Sequence, residues 1–278
     1  MVVFVLAITA LVLVADIVRL DPPAPILLAA FDTRVLLGVA ITIFGVSLLL
    51  YLRALSREEP DALVRSGRSV EAVVPVYDEP EVLHRSVTAL AASTYDDLTV
   101  TVVCEPDDRP SIDRATELAT EYEPVRYIVN GRPGSKAGAL NDAIERSDAD
   151  VIALFDADQK PHPKLIAHGT AALKEHDIAR ARSLPRPTGL LESMAYYEYL
   201  VLFFLPQKLV RSLLGLGIVG SRSVLLERSV FETVGRFDEE TLTEDMEFTH
   251  RCHQADLSIR ELSYYPCFEE SAHTLRDW

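Results

Sequence analysis

The sequence predicts an α/β protein, a mostly parallel sheet flanked by helices and preceded by two transmembrane helices. Three observations carry this expectation. Two long apolar runs lie before residue 55, β-branched strands alternate with helical spacing from about Ser69 onward, and glycines and carboxylates gather where those strands end.

The chain has 278 residues, 49% of them hydrophobic and 25% charged, with a formal net charge of −15 at pH 7. Such a chain is long enough to bury a core and too apolar to remain disordered. The acidic balance excludes the basic face that nucleic acid requires, and offers no polybasic lipid anchor. Cys104, Cys252 and Cys267 are too few and too scattered for a disulfide framework or a thiolate zinc site, so a reducing compartment is the simple reading. Lysine is confined to positions 136, 160, 164, 174 and 208. Excess carboxylate with so little lysine suits a salt-adapted organism, or equally a GC-rich genome.

Val2 to Leu20 is apolar apart from Asp16 and Arg19, and Val35 to Leu52 is uninterrupted. About 20 apolar residues cross a bilayer as a helix. No basic residue precedes the first run and no small-residue cleavage site closes it, which argues against a signal peptide. Pro22, Pro23 and Pro25 make the link between the runs a loop. Residues 1–55 are therefore expected to form a transmembrane hairpin, with one anchor plus one core helix as the alternative. Arg53, Arg57, Arg65 and Arg68 follow the second run. The positive-inside rule then places residues 66–278 in the cytoplasm, as one domain of a multi-pass protein of the cell membrane.

Strands are expected over Val70–Tyr77, Leu98–Val103, Val125–Val129 and Val151–Phe155, from their β-branched runs. Between them, Glu79–Ala92 has helical spacing in Val82, Leu83, Val87 and Leu90. Ser111 caps a second helix with Ile112, Ala115, Leu118 and Ala119 on one face, and Lys136–Arg146 forms a third. Such βαβ units make a parallel sheet, and ligands bind beyond the carboxyl ends of its strands.

The residues at those ends follow. Asp156-Ala157-Asp158 after the fourth strand can turn two carboxylates toward one hard cation such as Mg²⁺ or Mn²⁺; a solvated turn has the same pattern. Asn130 to Asn141 after the third strand joins glycines to a helix N-terminus, with Arg132 and Lys136 adding charge suited to a diphosphate. It lacks P-loop spacing, and an ordinary βα turn is the alternative. Pro75-Val76-Tyr77-Asp78-Glu79 and Cys104-Glu105-Pro106-Asp107-Asp108 bring acids to the other two strand ends, as hydrogen-bond acceptors or as solvated loops. Thr243-Glu244-Asp245 opens a helix running to about Ala255, as a favourable acidic first turn or as a general base facing a hydroxyl.

In chain order, VVPVYDEP, the acid after the second strand, GSKAGALN, FDADQ and VGRFDEETLTEDMEFTHRC resemble the processive family 2 glycosyltransferases, the cellulose- and hyaluronan-synthase-like group with the Rossmann-like GT-A fold. The resemblance spans Ser69 to Trp278, and the paired apolar runs match it as well. It implies metal-dependent, inverting transfer of a sugar from a nucleotide-diphospho-sugar, with UDP favoured, to a polysaccharide or lipid-linked acceptor. By position, Asp156 and Asp158 resemble the metal- and diphosphate-binding D-x-D, and Asp245 the catalytic base, with Thr243 and Glu244 on the acceptor side. Pro75, Tyr77, Glu79, Glu105 and Asp108 match donor-binding positions, joined by Lys136 and Asp156.

Two departures stand out. Cys104-Glu105-Pro106-Asp107-Asp108 stands where many members have Asp-Asp-Gly, and the sequence ends at Trp278 before the family's Gln-x-x-Arg-Trp motif. A catalytically silent membrane scaffold or partner subunit is therefore one alternative. A haloacid-dehalogenase-type phosphatase is another, though Lys160 replaces that group's usual Thr or Val and three strands precede the D-x-D. Residues 190–216 are apolar and rich in tyrosine. They are expected to lie as an interfacial helix under the bilayer, with Lys208 and Arg211 at its edge; a core helix or a third span is the alternative. His162, His168, His176 and His250 read as surface or satisfied core residues.

Overall fold

The computed structural model describes residues 63–186, 188–200 and 217–269, with short helical pieces between 37 and 49 and single positions at 202, 207 and 211. The chain divides into two compact units, Met1–Glu58 with Tyr197–Gly215, and Glu59–Tyr196 with Leu216–Trp278. The expected membrane hairpin falls mostly outside the described residues. Among the described residues no helix is long and apolar enough to cross a membrane. The described pieces between 37 and 49 expose Leu37, Ile41, Ile43, Phe44 and Leu49.

The second unit opens with strand β1 (Val70–Val76), helix α1 (Pro80–Ala91), β2 (Leu98–Cys104), α2 (Arg109–Glu121), β3 (Val125–Val129), α3 (Lys136–Arg146) and β4 (Val151–Leu154). Then come β5 (Lys160–Pro161), α4 (Leu165–Ala172), β6 (Ile178–Arg180), β7 (Ser183–Pro185), α5 (Leu190–Tyr199), β8 (Val224–Glu227), α6 (Arg228–Val234), α7 (Glu244–Gln254), β9 (Ile259–Glu261) and β10 (Cys267–Glu269).

Seven strands form one sheet in the order β3-β2-β1-β4-β8-β6-β9. All pairs are parallel except those of β8, which runs antiparallel to both β4 and β6. The expectation of a mostly parallel sheet holds. A second sheet of β5, β10 and β7 sits apart from it in hydrogen bonding. The chain runs from β1 outward through β2 to β3, then returns to the other side of β1 as β4. This reversal opens a crevice beyond the carboxyl ends of β1 and β4.

Both faces of the sheet are covered at its centre, which explains the largely apolar runs of β1, β2 and β4. Val70, Ala72, Val74 and Val76 pack with Leu83, Val87 and Leu90 of α1 and Ile112, Ala115 and Leu118 of α2. Val73, Ile152 and Leu154 face the other way, onto Ala139, Leu140 and Ala143 of α3 and the Phe231–Phe237–Phe248 cluster. Phe237 and Phe248 stack with ring centroids 4.4 Å apart, which seats α7 against this face.

One local expectation needs correction. Ser111 does not cap α2. Asp108 does, its Oδ1 accepting from the Ser111 amide at 3.2 Å, and Pro110 in the first turn needs no amide partner. Of the segment 190–216, α5 has no buried residue among those described, and most of the remainder lies outside the described residues.

Candidate active site

A cavity of about 950 Å³ lies beyond the carboxyl ends of β1 to β4. It is lined by Pro75 at the end of β1, Tyr77 and Glu79 after it, Glu105 and Asp107 after β2, Gly134 to Lys136 after β3, and Asp156 and Asp158 after β4. Four separate turns thus converge because four parallel strands end on one edge.

The turn after β3 is shaped by its glycines. Gly134 has a φ of +106°, a left-handed conformation that favours glycine. A Cβ on Gly138 would stand 2.2 Å from the Arg132 carbonyl oxygen, so the helix start and the turn touch only because that atom is missing. Ser135 caps α3, its hydroxyl accepting from the Gly138 amide at 2.9 Å. Glu105 braces this turn from β2. Its carboxylate accepts from the Asn130 side chain at 2.5 Å and the Gly134 amide at 3.1 Å. In the middle of α3, Asn141 donates to the Phe237 carbonyl at 2.9 Å and accepts from its amide at 3.0 Å.

The D-x-D turn rests on a buried polar network. Gln159, fully buried, accepts from the Asp156 amide at 3.1 Å and the Ser223 hydroxyl at 3.1 Å, and donates to Ser183 at 3.2 Å. Lys136 pairs with Asp156 Oδ1. Arg222 stands 3.9 Å from Asp156 Oδ2 and 3.1 Å from Glu269 Oε2. Because β8 is antiparallel, Val224 at its start pairs with Leu154 at the end of β4, and this brings Arg222 to the cavity edge.

Two carboxyls here have a raised proton affinity. Burial pushes the Glu79 carboxyl up, and Asp158, Asp156 and Asp78 push it further. Burial likewise pushes Glu269 up; Arg222 opposes this, while Asp158 and Asp156 add to it. Such mutual repulsion favours a cation. Among the described residues no group of three or more His, Cys, Asp or Glu side chains is placed to hold a metal by itself. Asp156 and Asp158 together are two hard oxygen donors, which fits Mg²⁺ or Mn²⁺ completed by ligand oxygens and water.

Not every expected site residue faces the cavity. Asp108 is buried and does not line it; Asp107, its neighbour, does. Besides capping α2, Asp108 accepts from the Asp78 amide at 2.6 Å, and Asp78 has a φ of 55°. It therefore sets the turn that presents Tyr77 and Glu79. Burial pushes its carboxyl up, but hydrogen bonds from Ser111 and from the Asp78 amide outweigh this and hold it below its ordinary value.

Thr243, Glu244 and Asp245 also lie off the cavity lining, around the start of α7. Asp245 is half-buried, and its Oδ1 accepts from the Met246 amide at 2.8 Å. The link to the cavity is the bend before β8. Ser221 donates to Glu244 at 3.3 Å, and Arg222 beside it pairs with Asp156. Thr249 of α7 holds the same bend, accepting from the Val219 amide at 3.1 Å. Sequence reasoning missed Gln159 and Arg222 as parts of the site. Gln159 follows the D-x-D directly, whereas Arg222 carries no local signal. The three cysteines are free and buried, and burial pushes the thiols of Cys104 and Cys267 up to about 12 and that of Cys252 to about 11.

The mostly parallel sheet and its strand-end cavity define an α/β fold of GT-A type. Residues 67–275 match the model of the glycosyltransferase like family 2, and the chain belongs to that family. That family differs from the haloacid-dehalogenase group of the alternative reading. It is 23% identical over 219 residues to the probable glycosyltransferase YdaM of Bacillus subtilis, covering 75% of this chain and 52% of that protein. It is 27% identical over 169 residues to the beta-monoglucosyldiacylglycerol synthase of Trichormus variabilis, covering 57% of this chain and 35% of that one. The chain thus spans about half or less of these curated relatives. The mannosyltransferase PcManGT from Pyrobaculum calidifontis, solved in complex with GDP-Man and Mn²⁺, shares the fold. Its TM-score is 0.63 at 17% identity, over 86% of this chain and 68% of its own.

Proposed function

We propose that this chain transfers a sugar, with inversion, from a nucleotide-diphospho-sugar to a hydroxyl of a lipid-linked or polysaccharide acceptor, in the manner of the processive family 2 enzymes. The observation that carries this reading is the cavity, which brings an aromatic ring, an ammonium and two adjacent carboxylates into one concave site. Its volume of about 950 Å³ suits a ligand of nucleotide-sugar size.

Tyr77, 63% exposed on the cavity wall, offers a face for the base, and Glu79 an acceptor for ribose or base N–H groups. Lys136 and the N-terminus of α3 take the diphosphate. Asp156 and Asp158 would hold the divalent cation, which supplies charge neutralisation for that diphosphate. Asp245 takes the proton of the acceptor hydroxyl as its oxygen forms the new bond to C1. The bond from C1 to the diphosphate oxygen breaks, and that oxygen keeps the electron pair. General-base help of this kind is worth about 10²–10⁴-fold.

A membrane setting is supported by exposed apolar side chains among the described residues, and the cytoplasmic side of the cell membrane by Arg53, Arg57, Arg65 and Arg68 after the second apolar run. Leu190, Met194 and Tyr197 are exposed on α5 at positions i, i+4 and i+7, hence on one face. The helical pieces between 37 and 49 are equally apolar and exposed. The name of the Trichormus relative favours a lipid acceptor.

The test is calorimetric titration of the protein in detergent with UDP and with GDP, each with and without Mn²⁺, beside Asp158→Ala. The expected result is metal-dependent binding of one nucleotide, lost in the variant. Absence of binding by both nucleotides would overturn the donor assignment and favour a silent scaffold.

A further inference from the structure

Asp156 stands between two cations. Lys136 contacts its Oδ1, and Arg222 stands 3.9 Å from its Oδ2. The two come from unrelated parts of the chain, the first turn of α3 and the bend before the antiparallel β8. Both keep access to water, with side-chain exposures of 34% and 49%. Arg222 has a second partner within reach, Glu269 Oε2 at 3.1 Å. The guanidinium thus bridges the D-x-D and a carboxylate of the smaller sheet, and can shift its weight from one to the other.

We propose that Lys136 and Arg222 are counter-ions that occupy Asp156 until a diphosphate draws them away, so that divalent metal and nucleotide bind as a linked pair. The inference rests on the donor reading above and adds the order of events to it. A divalent cation at the D-x-D meets two positive groups already seated on one of its ligands. A nucleoside diphosphate brings negative oxygens that compete for the ammonium and the guanidinium. Once they turn to it, Asp156 is released and the local field becomes more negative. Each ligand therefore raises the affinity of the other by the same factor, as linkage requires. Glu269 gives Arg222 a resting place that keeps this half-buried carboxylate paired.

The experiment titrates Mn²⁺ into the full chain in detergent, alone and in saturating UDP or GDP, following heat and the Mn²⁺ spin-resonance signal. Three proteins are compared: wild type, Arg222→Gln, and the charge-keeping Arg222→Lys. Wild type is expected to bind Mn²⁺ weakly alone and about tenfold or more tightly with the nucleotide. Arg222→Gln removes one nearby positive charge, so Mn²⁺ alone should bind about three- to tenfold more tightly, and the nucleotide's enhancement should shrink by a similar factor. Arg222→Lys should behave as wild type. Lys136→Gln, read on Mn²⁺ alone, should also bind more tightly and replaces Arg222→Gln if that variant does not fold. Unchanged or weakened Mn²⁺ binding in the neutral variants overturns the counter-ion proposal alone. Failure of both nucleotides to bind in wild type overturns the donor reading and the linkage with it, whereas a nucleotide that binds without altering Mn²⁺ binding overturns the linkage alone.

Discussion

Replacing Gln159 with leucine tests whether buried hydrogen bonds set the D-x-D turn. Leucine keeps most of the volume and removes the amide. The Asp156 amide then loses the acceptor it has at 3.1 Å, and Ser183 and Ser223 lose their bonds to the same side chain. The two hydroxyls retain each other at 3.0 Å, so the amide is the main orphan. A buried polar group left unsatisfied costs about 1–3 kcal/mol. One orphaned amide and one partly orphaned hydroxyl give about 2–4 kcal/mol, which for a domain of this size lowers the melting temperature by about 4–16 °C. Because the lost bond anchors the backbone of Asp156 itself, nucleotide affinity should fall together with stability. Differential scanning fluorimetry and calorimetric titration read the two effects on one sample. An unchanged melting temperature would refute the network, and a lowered one with intact nucleotide affinity would refute its positioning role.

Gly138→Ala places a methyl 2.2 Å from the backbone oxygen of Arg132, which cannot swing aside, so a loss of about 1–3 kcal/mol and weaker nucleotide binding are expected in the same two assays. Asp245→Asn should abolish sugar transfer in a radiolabelled-donor assay while leaving nucleotide binding nearly intact; equal loss of both would sink the base assignment. Asp108→Ala removes the cap of α2 and the acceptor for the Asp78 amide, costing about 1–2 kcal/mol by thermal unfolding. Asp108 and Asp150 set the acid limit. Asp108 is held low by the hydrogen bonds that outweigh its burial, and Asp150 by those from the Ser69 amide and hydroxyl. A folded value below the unfolded one, near 3.9, means that the stabilisation is complete above about pH 4 and lost as pH falls through the folded values. Acid unfolding followed by circular dichroism should therefore show a shallower loss in Asp108→Asn than in wild type.

Much of the first half of the second unit was legible because local and global signals agree there. Val125–Val129 and Lys136–Arg146 were expected at the limits they have, and β1, β2, β4 and α1 differ by a residue or two at their ends. β1, β2 and β4 are buried almost throughout, so apolar runs mark them clearly, while the edge strand β3 exposes Arg126 and Val129; each is followed by turn chemistry. The second half was not legible in the same way. β5, β6, β7, β9 and β10 are two or three residues long, too short for any period to show. Their pairing is long-range, as in β10 with β7, where Cys267 meets Ser183. Nothing local in either segment announces the other.

The site divides along the same physical line. Residues that follow parallel strands reach the cavity by topology alone, so Tyr77, Glu79, Glu105, Lys136, Asp156 and Asp158 could be picked out from strand ends. Asp108 shows the limit of that rule. It follows β2 as closely as a ligand-facing acid would, but the helix that starts beside it offers open amides, and a carboxylate that satisfies Ser111 and Asp78 is turned inward. One residue earlier, Asp107 has no such duty and faces the cavity. Arg222 shows the converse. It precedes a strand, and in a wholly parallel sheet that position would lie at the opposite edge, far from any ligand. The reversal of β8 against β4 puts the start of one strand beside the end of the other, and so delivers a cation to Asp156 that no strand-end rule would find.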